Sequence, residues 1–407
     1  MNILWSKIKT FKFNNIGFTG LLLILTLEAC TQKEKFALVQ SGSMTVGYSQ
    51  ALIYDSSQTY QEYGYQGYLP ILVDLWFPLS VKKDTTIKFG DFQKRGLPDN
   101  LVAVHQELNK NLDESICRDA LSEHIWTGEE LNFGSLNKEA VLELIKSLDT
   151  KSLKAALPES MDFPVIVYHH GSRGQSYENH LMAEYFAERG YIFISANFHL
   201  PYSNTMFGLL PYRLEAMNRH NQSIAKTLIN YARGLTRNSK LYFIGHSWGA
   251  QEGWCFLNEQ GWADAFVSLE TTIPFKSDPE VIREYWPQVY AKLVIQKNKF
   301  SIPTLVIEAT EKDEAFPFFL NAANDRTWHV SSKKYFAHNS YTSVYLMRNF
   351  LGEVVQNSDS LELQEQVRLY HRHLSLIHDF LEDIAENKMW DYPEFTDDFY
   401  IHYPWTK

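Results

Sequence analysis

A regular alternation of buried strands and helices runs through the middle of the chain, from residue 163 to residue 309. Apolar runs rich in β-branched residues, such as FPVIVYHHG (163–171), KLYFIG (240–245) and IPTLVIEA (302–309), are separated by segments with helical spacing. Such continuous runs are typical of parallel strands covered on both faces, and their crossover connections are right-handed. The pattern therefore predicts an α/β protein with a mostly parallel central sheet and helices on both faces.

Three flanking segments extend this plan. GYLPILVDLWFPLS (67–80) predicts an early strand that ends at Pro78, and residues 360–386 predict an amphipathic helix packed on the sheet, because their apolar positions step by 4 and 3. Residues 82–160 are polar and helix-prone and carry few strand signals, so they predict a helical insertion.

The first 29 residues have the pattern of a secretory signal peptide. Three lysines precede the apolar run IGFTGLLLILTL (16–27), which is too short to span a bilayer comfortably. LEAC (27–30) resembles the lipobox of bacterial lipoproteins, although Glu28 stands where a small or hydroxyl residue is usual. The pattern predicts a lipidated Cys30, a single mature domain over 30–407, and a membrane-anchored lipoprotein facing the periplasm or the cell surface. An uncleaved signal anchor is the alternative.

Charge and motif content narrow the possible partners. The chain has 38 basic and 48 acidic residues, a net charge of −10, and no basic block, which argues against nucleic acid as a partner. It contains no HExxH, CxxC or phosphate-binding glycine loop, so no metal or cofactor is expected. Cys117 and Cys255 could pair, but the apolar helical setting of Cys255 is typical of a buried free thiol.

The segment IGHSWGAQ (244–251) carries the strongest chemical signal. Ser247 lies between Gly245 and Gly249, with a predicted strand before it and a predicted helix after it. This order is that of a nucleophile elbow, in which a sharp turn lifts the serine hydroxyl above the strand ends. A Cβ at either glycine would clash with the neighbouring elements. The context predicts that Ser247 is a nucleophile rather than an ordinary loop serine.

A serine nucleophile needs a histidine base, which in this topology follows the acid late in the chain. His338 lies in the loop after TWHVSS (327–332), a predicted strand, and strand ends are where a catalytic histidine belongs. His338 is therefore the predicted base. For His329, within that strand, a side-chain contact is expected, and His371 and His373 are interpreted as packing or surface residues of a helix.

Two carboxylates are candidates for the residue that orients the base. Glu270 directly follows the buried strand AFVSL (265–269), where a charged side chain needs a partner. Asp313 follows the next strand, and Pro317 after it is common in acid loops of hydrolases, but its charged neighbours also fit a solvated turn. Either could stabilise a charged imidazole.

Two backbone N–H groups are expected to stabilise the oxyanion. One belongs to Trp248, directly after the nucleophile, where the positive end of the following helix also lies. The other is expected from HHGSRG (169–174), where Gly171 permits close approach and Ser172 is the predicted donor. His170 is interpreted as shaping this loop.

Five segments, taken in order, resemble the platelet-activating factor acetylhydrolase and dienelactone hydrolase branch of the α/β-hydrolases. They are FPVIVYHHGSRGQ, ISANFHLP, FIGHSWGA, SLETTIP and AHNSYTS. The resemblance covers roughly residues 45–80 and 160–350. In the acetylhydrolases the acid follows the strand after the elbow helix, as Glu270 does, though usually as Asp. In polyester cutinases and many dienelactone hydrolases it lies one strand later, as Asp313 does. Ala250 stands where many relatives have Gly. Because the family differs at this point, the resemblance leaves both acids open; Glu270 is preferred and Asp313 is the alternative.

Together these features predict a serine esterase that cleaves a small-molecule carboxylic ester, lipid-like esters included, through an acyl-enzyme. An acyltransferase or peptidase with the same triad is an alternative within enzymes. A non-catalytic binding lipoprotein of the same fold is the alternative outside them.

Overall fold

A computed structural model describes most of the chain beyond residue 41. The signal region with Cys30 and the segment around Asp313 lie outside the described residues. The described ranges are 42–80, 85–124, 129–130, 136–208, 214–257, 262–270, 279–285, 287, 290–297, 300–308, 324–333, 336–347, 360–390 and 398–401.

A ten-stranded sheet forms the centre of the protein. In chain order the strands are β1 Thr45–Glu62, β2 Tyr65–Leu79, β3 Ser122–His124, β4 Glu129–Glu130, β5 Ser152–Lys154, β6 Val165–His169, β7 Ile192–Ala196, β8 Leu241–His246, β9 Ala265–Leu269, β10 Thr304–Glu308, β11 Thr327–Ser332 and β12 Phe399–Ile401. The spatial order is β12-β11-β10-β9-β8-β6-β7-β2-β1-β5, while β3 and β4 pair separately. Strands β6 to β11 pair in parallel with one another, while β2 and β12 join them antiparallel, which confirms the predicted mostly parallel sheet.

Helices connect and cover these strands. They are α1 Val102–Leu121, α2 Lys138–Ser147, α3 His180–Ala187, α4 Leu214–Gly234, α5 Trp248–Phe256, α6 Pro279–Tyr285, α7 Ser343–Leu346 and α8 Ser360–Ala385. Every residue of β6 to β11 is buried, as expected for strands with continuous apolar runs. No helix in the described ranges is long and apolar enough to cross a membrane.

The insertion prediction for 82–160 is wrong in one respect. The segment contains α1 and α2, but it ends in β5, which pairs in parallel with β1 and closes one edge of the sheet. A strand of three residues is too short to show the alternation of buried and exposed side chains in the sequence. The contacts of its first residue, Ser152, are with residues far away in the sequence. The buried Ser152 hydroxyl donates to Glu184 Oε1 at 2.6 Å and lies 3.1 Å from Trp76 Nε1.

The N-terminal hairpin is longer than predicted. Strand β1 is not predicted, because its C-terminal half is polar and most of its residues are only partly buried or exposed. Strand β2 also runs past Pro78, where a strand end was predicted. Strand β7 pairs only with residues 73–76 of β2, so Pro78 lies where the strand has a single neighbour and a missing N–H is tolerated.

The turn between β8 and α5 has the geometry of a nucleophile elbow. Ser247 is the single residue between the two elements. Its φ is 51° and its ψ is −112°, a backbone conformation that residues other than glycine rarely adopt. A Cβ on Gly249 would lie 2.2 Å from the His169 carbonyl oxygen, and one on Gly245 would lie 2.5 Å from the Gly249 carbonyl oxygen. The predicted need for glycine at both positions is confirmed.

The strained backbone at Ser247 leads to a stability prediction. Ser247→Gly and Ser247→Ala both remove the hydroxyl, but only glycine relaxes the positive φ. Relief of roughly 1–3 kcal/mol of strain should exceed the flexibility cost of glycine, about 0.5–1 kcal/mol. We expect Ser247→Gly to melt higher than Ser247→Ala by on the order of 1 °C in differential scanning calorimetry. Equal or reversed midpoints would show that the turn is not strained.

Candidate active site

Ser247 and His338 lie within hydrogen-bond distance of each other. Ser247 stands at the carboxyl end of β8, and His338 opens a short 3₁₀ turn, His338–Tyr341, that follows β11 and precedes α7. The distance from His338 Nε2 to Ser247 Oγ is 2.9 Å. The side chain of His338 is 19% exposed, so its imidazole is reachable from solvent. This is the spacing that proton transfer from a serine to a histidine requires.

Glu270 lies on the other side of the same imidazole. The register pairs His246 of β8 with Leu269 of β9, so the residues that follow, Ser247 and Glu270, emerge side by side at the sheet edge. The backbone N–H of Glu270 donates to the Ile307 carbonyl at 2.8 Å, which fixes the residue at a positive φ of 46°. Its Oε1 lies 3.7 Å from His338 Nδ1, within ion-pair range but longer than a hydrogen bond. Asp313, the other candidate, cannot be placed because it lies outside the described residues.

The glycine-containing loop after β6 packs against Ser247. A Cβ on Gly171 would lie 3.3 Å from Ser247 Cβ and 3.1 Å from His246 Nδ1, so a side chain at Gly171 would crowd the serine. Ser172 borders the same cavity as Ser247. Trp248 is the first residue of α5, and the N–H groups of a first helical turn point towards the helix start. Both predicted oxyanion donors thus belong to elements that border Ser247.

The other histidines considered in the sequence have structural partners. His329 Nε2 lies 2.7 Å from Glu308 Oε2, and burial lowers the pKa of His329 to about 3. His373 is buried, with Nε2 2.9 Å from the Ser332 hydroxyl. His170 accepts a hydrogen bond at Nε2 from the Phe198 N–H at 3.0 Å, which ties its loop to the loop after β7. His371 borders Tyr185 through a ring contact.

A buried glutamate missed by the sequence reasoning connects the two loops of the site. Glu178 Oε1 accepts hydrogen bonds from the Tyr168 hydroxyl at 2.7 Å and from the Gly171 N–H at 3.2 Å. The same oxygen lies 3.7 Å from His246 Nδ1, and His246 Nε2 lies 3.0 Å from the His338 carbonyl oxygen. Burial acts to raise the pKa of Glu178, but its interaction with His246 outweighs this and holds the pKa below its usual value.

The insertion supplies part of the cavity in front of Ser247. This cavity has a volume of about 280 Å³ and is bordered by Arg118 and Asp119 of α1 and by Arg173 of the glycine loop, in addition to the residues described above. Arg118 donates to both carboxylate oxygens of Asp119, at 2.7 and 2.9 Å. Only their long-range position, not any local motif, makes these residues part of the site.

The described ranges contain no cluster of side chains arranged as a metal site and no disulfide. Within them no group of three or more His, Cys, Asp or Glu side chains is arranged to hold a metal ion. Cys117 and Cys255 are both buried and unpaired. Burial raises the pKa of each thiol, which disfavours the reactive thiolate.

No family model and no curated protein sequence matches this chain. Among solved structures, the ferulic acid esterase from Streptomyces cinnamoneus aligns with 89% of this chain and 98% of its own, with a TM-score of 0.56 and 13% identity. Est1E from Butyrivibrio proteoclasticus aligns with 49% of this chain and 90% of its own, with a TM-score of 0.31 and 17% identity. The esterase Est2 from the planctomycete Thermogutta terrifontis aligns with 54% of this chain and 84% of its own, with a TM-score of 0.37 and 16% identity.

The first of these alignments covers nearly the whole of both chains. This chain itself has the parallel strands β6 to β11 and the elbow turn between β8 and α5 that are typical of an α/β-hydrolase fold. The chain has the α/β-hydrolase fold.

Proposed function

We propose that this protein is a serine hydrolase that cleaves a carboxylic ester through an acyl-enzyme intermediate. The observation that carries the proposal is the 2.9 Å contact between His338 Nε2 and a Ser247 hydroxyl held on an elbow turn. A hydroxyl is a weak nucleophile until a base accepts its proton, and this pair supplies both partners in reach of solvent. The esterase named in the nearly full-length structural alignment is consistent with this chemistry.

In the proposed reaction, Ser247 Oγ attacks the ester carbonyl while His338 Nε2 takes its proton. The N–H groups of Trp248 and Ser172 stabilise the oxyanion, and imidazolium then gives the proton to the leaving alcohol. A water molecule then attacks the acyl-enzyme carbonyl while His338 takes its proton, which releases the carboxylic acid and restores the Ser247 hydroxyl.

Removal of the nucleophile tests the proposal directly. Ser247→Ala should lower kcat for p-nitrophenyl acetate by on the order of 10⁴- to 10⁶-fold, because it removes the hydroxyl that lies 2.9 Å from His338 Nε2. Ser239→Ala, the same change at an exposed serine, is the matched control and should keep full activity. A fluorophosphonate probe should label the wild type and the control only. Turnover retained in purified Ser247→Ala would exclude this mechanism.

We assign the acid of the triad to Glu270. Its carboxylate faces His338 Nδ1 at 3.7 Å and is 9% exposed, so a charged imidazole would find a poorly solvated anion beside it. Catalytic hydrogen bonds are often long before substrate binds and shorten in the reacting complex. A protonated His338 would attract Glu270 and close this gap.

Replacing each carboxylate by its amide shows whether Glu270 or Asp313 is the acid of the triad. Glu270→Gln should lower kcat by roughly 10³- to 10⁴-fold, because the imidazole loses both its orientation and its counter-charge. Asp313→Asn should cost less than about tenfold. Initial rates on p-nitrophenyl acetate, with melting curves for both variants, give the comparison. A large loss at Asp313 together with a small one at Glu270 would reverse the assignment.

The same triad could serve an acyltransferase or a peptidase, and a binding lipoprotein could keep the fold without turnover. Hydrolysis is favoured because the cavity is open to solvent beside His338, so water can reach the acyl-enzyme. Product analysis with added alcohols and amines distinguishes transfer from hydrolysis. Within the hydrolases, the ordered motifs that resemble the acetylhydrolase branch make a small ester the first substrate to test.

We also propose that the protein is exported and anchored through a lipid on Cys30, on the strength of the lipobox-like LEAC segment after a basic and apolar leader. Membrane attachment would place the enzyme beside lipid-like esters. Its net charge and lack of a basic block keep nucleic acid an unfavourable partner.

The anchor leads to a fractionation prediction. Cys30→Ser should move the protein from the membrane pellet to the soluble fraction, because the acyl chains supply the membrane affinity. Cys255→Ser, at a buried thiol, is the control and should leave the distribution unchanged. If Cys30→Ser stays in the pellet, an uncleaved signal anchor is the better description.

A further inference from the structure

Arg173 has an unusual backbone conformation at the cavity that contains Ser247 and His338. It follows Ser172, the proposed oxyanion donor, and borders the same cavity as Ser247. Its φ is 59°, in the left-handed region, where a residue with a side chain costs roughly 1 kcal/mol or more and glycine costs little. Strain of this kind at a cavity is a reason to look for a function of the side chain.

Contacts on two sides hold Arg173 in this position. The Ser115 hydroxyl of α1 donates to the Arg173 carbonyl at 2.7 Å, and Arg173 Nε donates to the Phe207 carbonyl at 3.3 Å. Gly208 packs so closely that a Cβ there would lie 2.7 Å from Arg173 Cγ. The stem of the arginine is therefore fixed, while its terminal nitrogens make no hydrogen bond to any described residue.

The charges around the cavity leave this guanidinium without an anion. Arg118 is neutralised by its bidentate pair with Asp119, and Glu178 is occupied by the Tyr168 hydroxyl and the Gly171 N–H. Within the described ranges, no carboxylate lies at ion-pair distance from Arg173. Burial and the positive charge of Arg118 lower the pKa of Arg173 by more than the carboxylates of Asp119 and Glu114 raise it.

We propose that Arg173 binds a carboxylate on the substrate, so that the preferred substrates are esters with an anionic group within a few bonds of the scissile carbonyl. The inference rests on the proposed ester hydrolysis at Ser247 and specifies its substrate class. A planar guanidinium with free terminal N–H groups matches a carboxylate in a bidentate manner. A cationic substrate is less well served, because Asp119 and Glu178 are already engaged.

Two pairs of esters that differ only in charge test this preference. Mono-p-nitrophenyl succinate and its methyl ester place the charge or its neutral counterpart on the acyl side, and 4-acetoxybenzoate and its methyl ester place it on the alcohol side. For at least one pair, kcat/KM corrected for spontaneous hydrolysis should favour the anion by about 10- to 100-fold, the range of a charge-assisted bidentate contact. A p-nitrophenyl ester with a trimethylammonium group serves as the cationic comparison.

Variants at Arg173 test whether this side chain causes the preference for anionic esters. Arg173→Gln should lower the anion-to-neutral ratio of kcat/KM by about 10- to 100-fold, and Arg173→Lys should restore much of it, because lysine keeps the charge but not the fork. Arg237→Gln, the same change at an exposed arginine outside the cavity, is the matched control and should leave the ratio unaltered. Using the ratio cancels any general loss from strain or misfolding.

The outcomes separate this inference from the proposed function. Hydrolysis of all esters without an anion preference, or a preference that survives Arg173→Gln, would overturn the role of Arg173 and leave the serine hydrolase standing. A preference for the cationic ester would overturn it in favour of Asp119 or Glu178. Absence of both hydrolysis and fluorophosphonate labelling would overturn the proposed function and this inference together.

Discussion

The close approach of helix α5 to strand β6 is the constraint on which the site depends. The backbone of Gly249 passes the His169 carbonyl at a distance where no side chain fits, and Gly245 meets Gly249 in the same way. This approach leaves one residue, Ser247, to reverse the chain, and forces it into a positive φ. The N–H of Ser247 is then bonded to the Leu269 carbonyl of β9 at 2.9 Å, which ties the turn to the strand that precedes Glu270.

Buried polar contacts extend this rigidity to the two loops that face Ser247. Glu178 touches the glycine loop through the Gly171 N–H, and its backbone carbonyl accepts from the Val344 N–H at 3.0 Å. His246 connects the elbow to the carbonyl of His338. The bond from the Gly171 N–H to Glu178 is buried, so breaking it would leave an unpaired polar group, which is more costly than the contact is stabilising. These contacts link the position of His338 to that of the glycine loop.

The sequence was most informative where the structure is local and periodic. The strands β6 to β11, the elbow and helix α8 follow from runs of apolar residues and two glycines, and the register then brings Glu270 beside His338. Strand β1 was missed because its outer half is polar, and β5 because three residues show no period. Glu178, Arg118 and Asp119 could not be found, since only the folded chain brings them to Ser247.

Helix α1 lies far in sequence from Ser247, His338 and Glu270, yet it borders the cavity and holds the Arg173 carbonyl through Ser115. Under the proposed function, the reacting groups and part of the cavity wall are therefore encoded in separate parts of the chain. Substitutions on the side of α1 that borders the cavity would then change which molecules fit and leave the elbow as it is, in the way that antibody loops vary on a fixed scaffold.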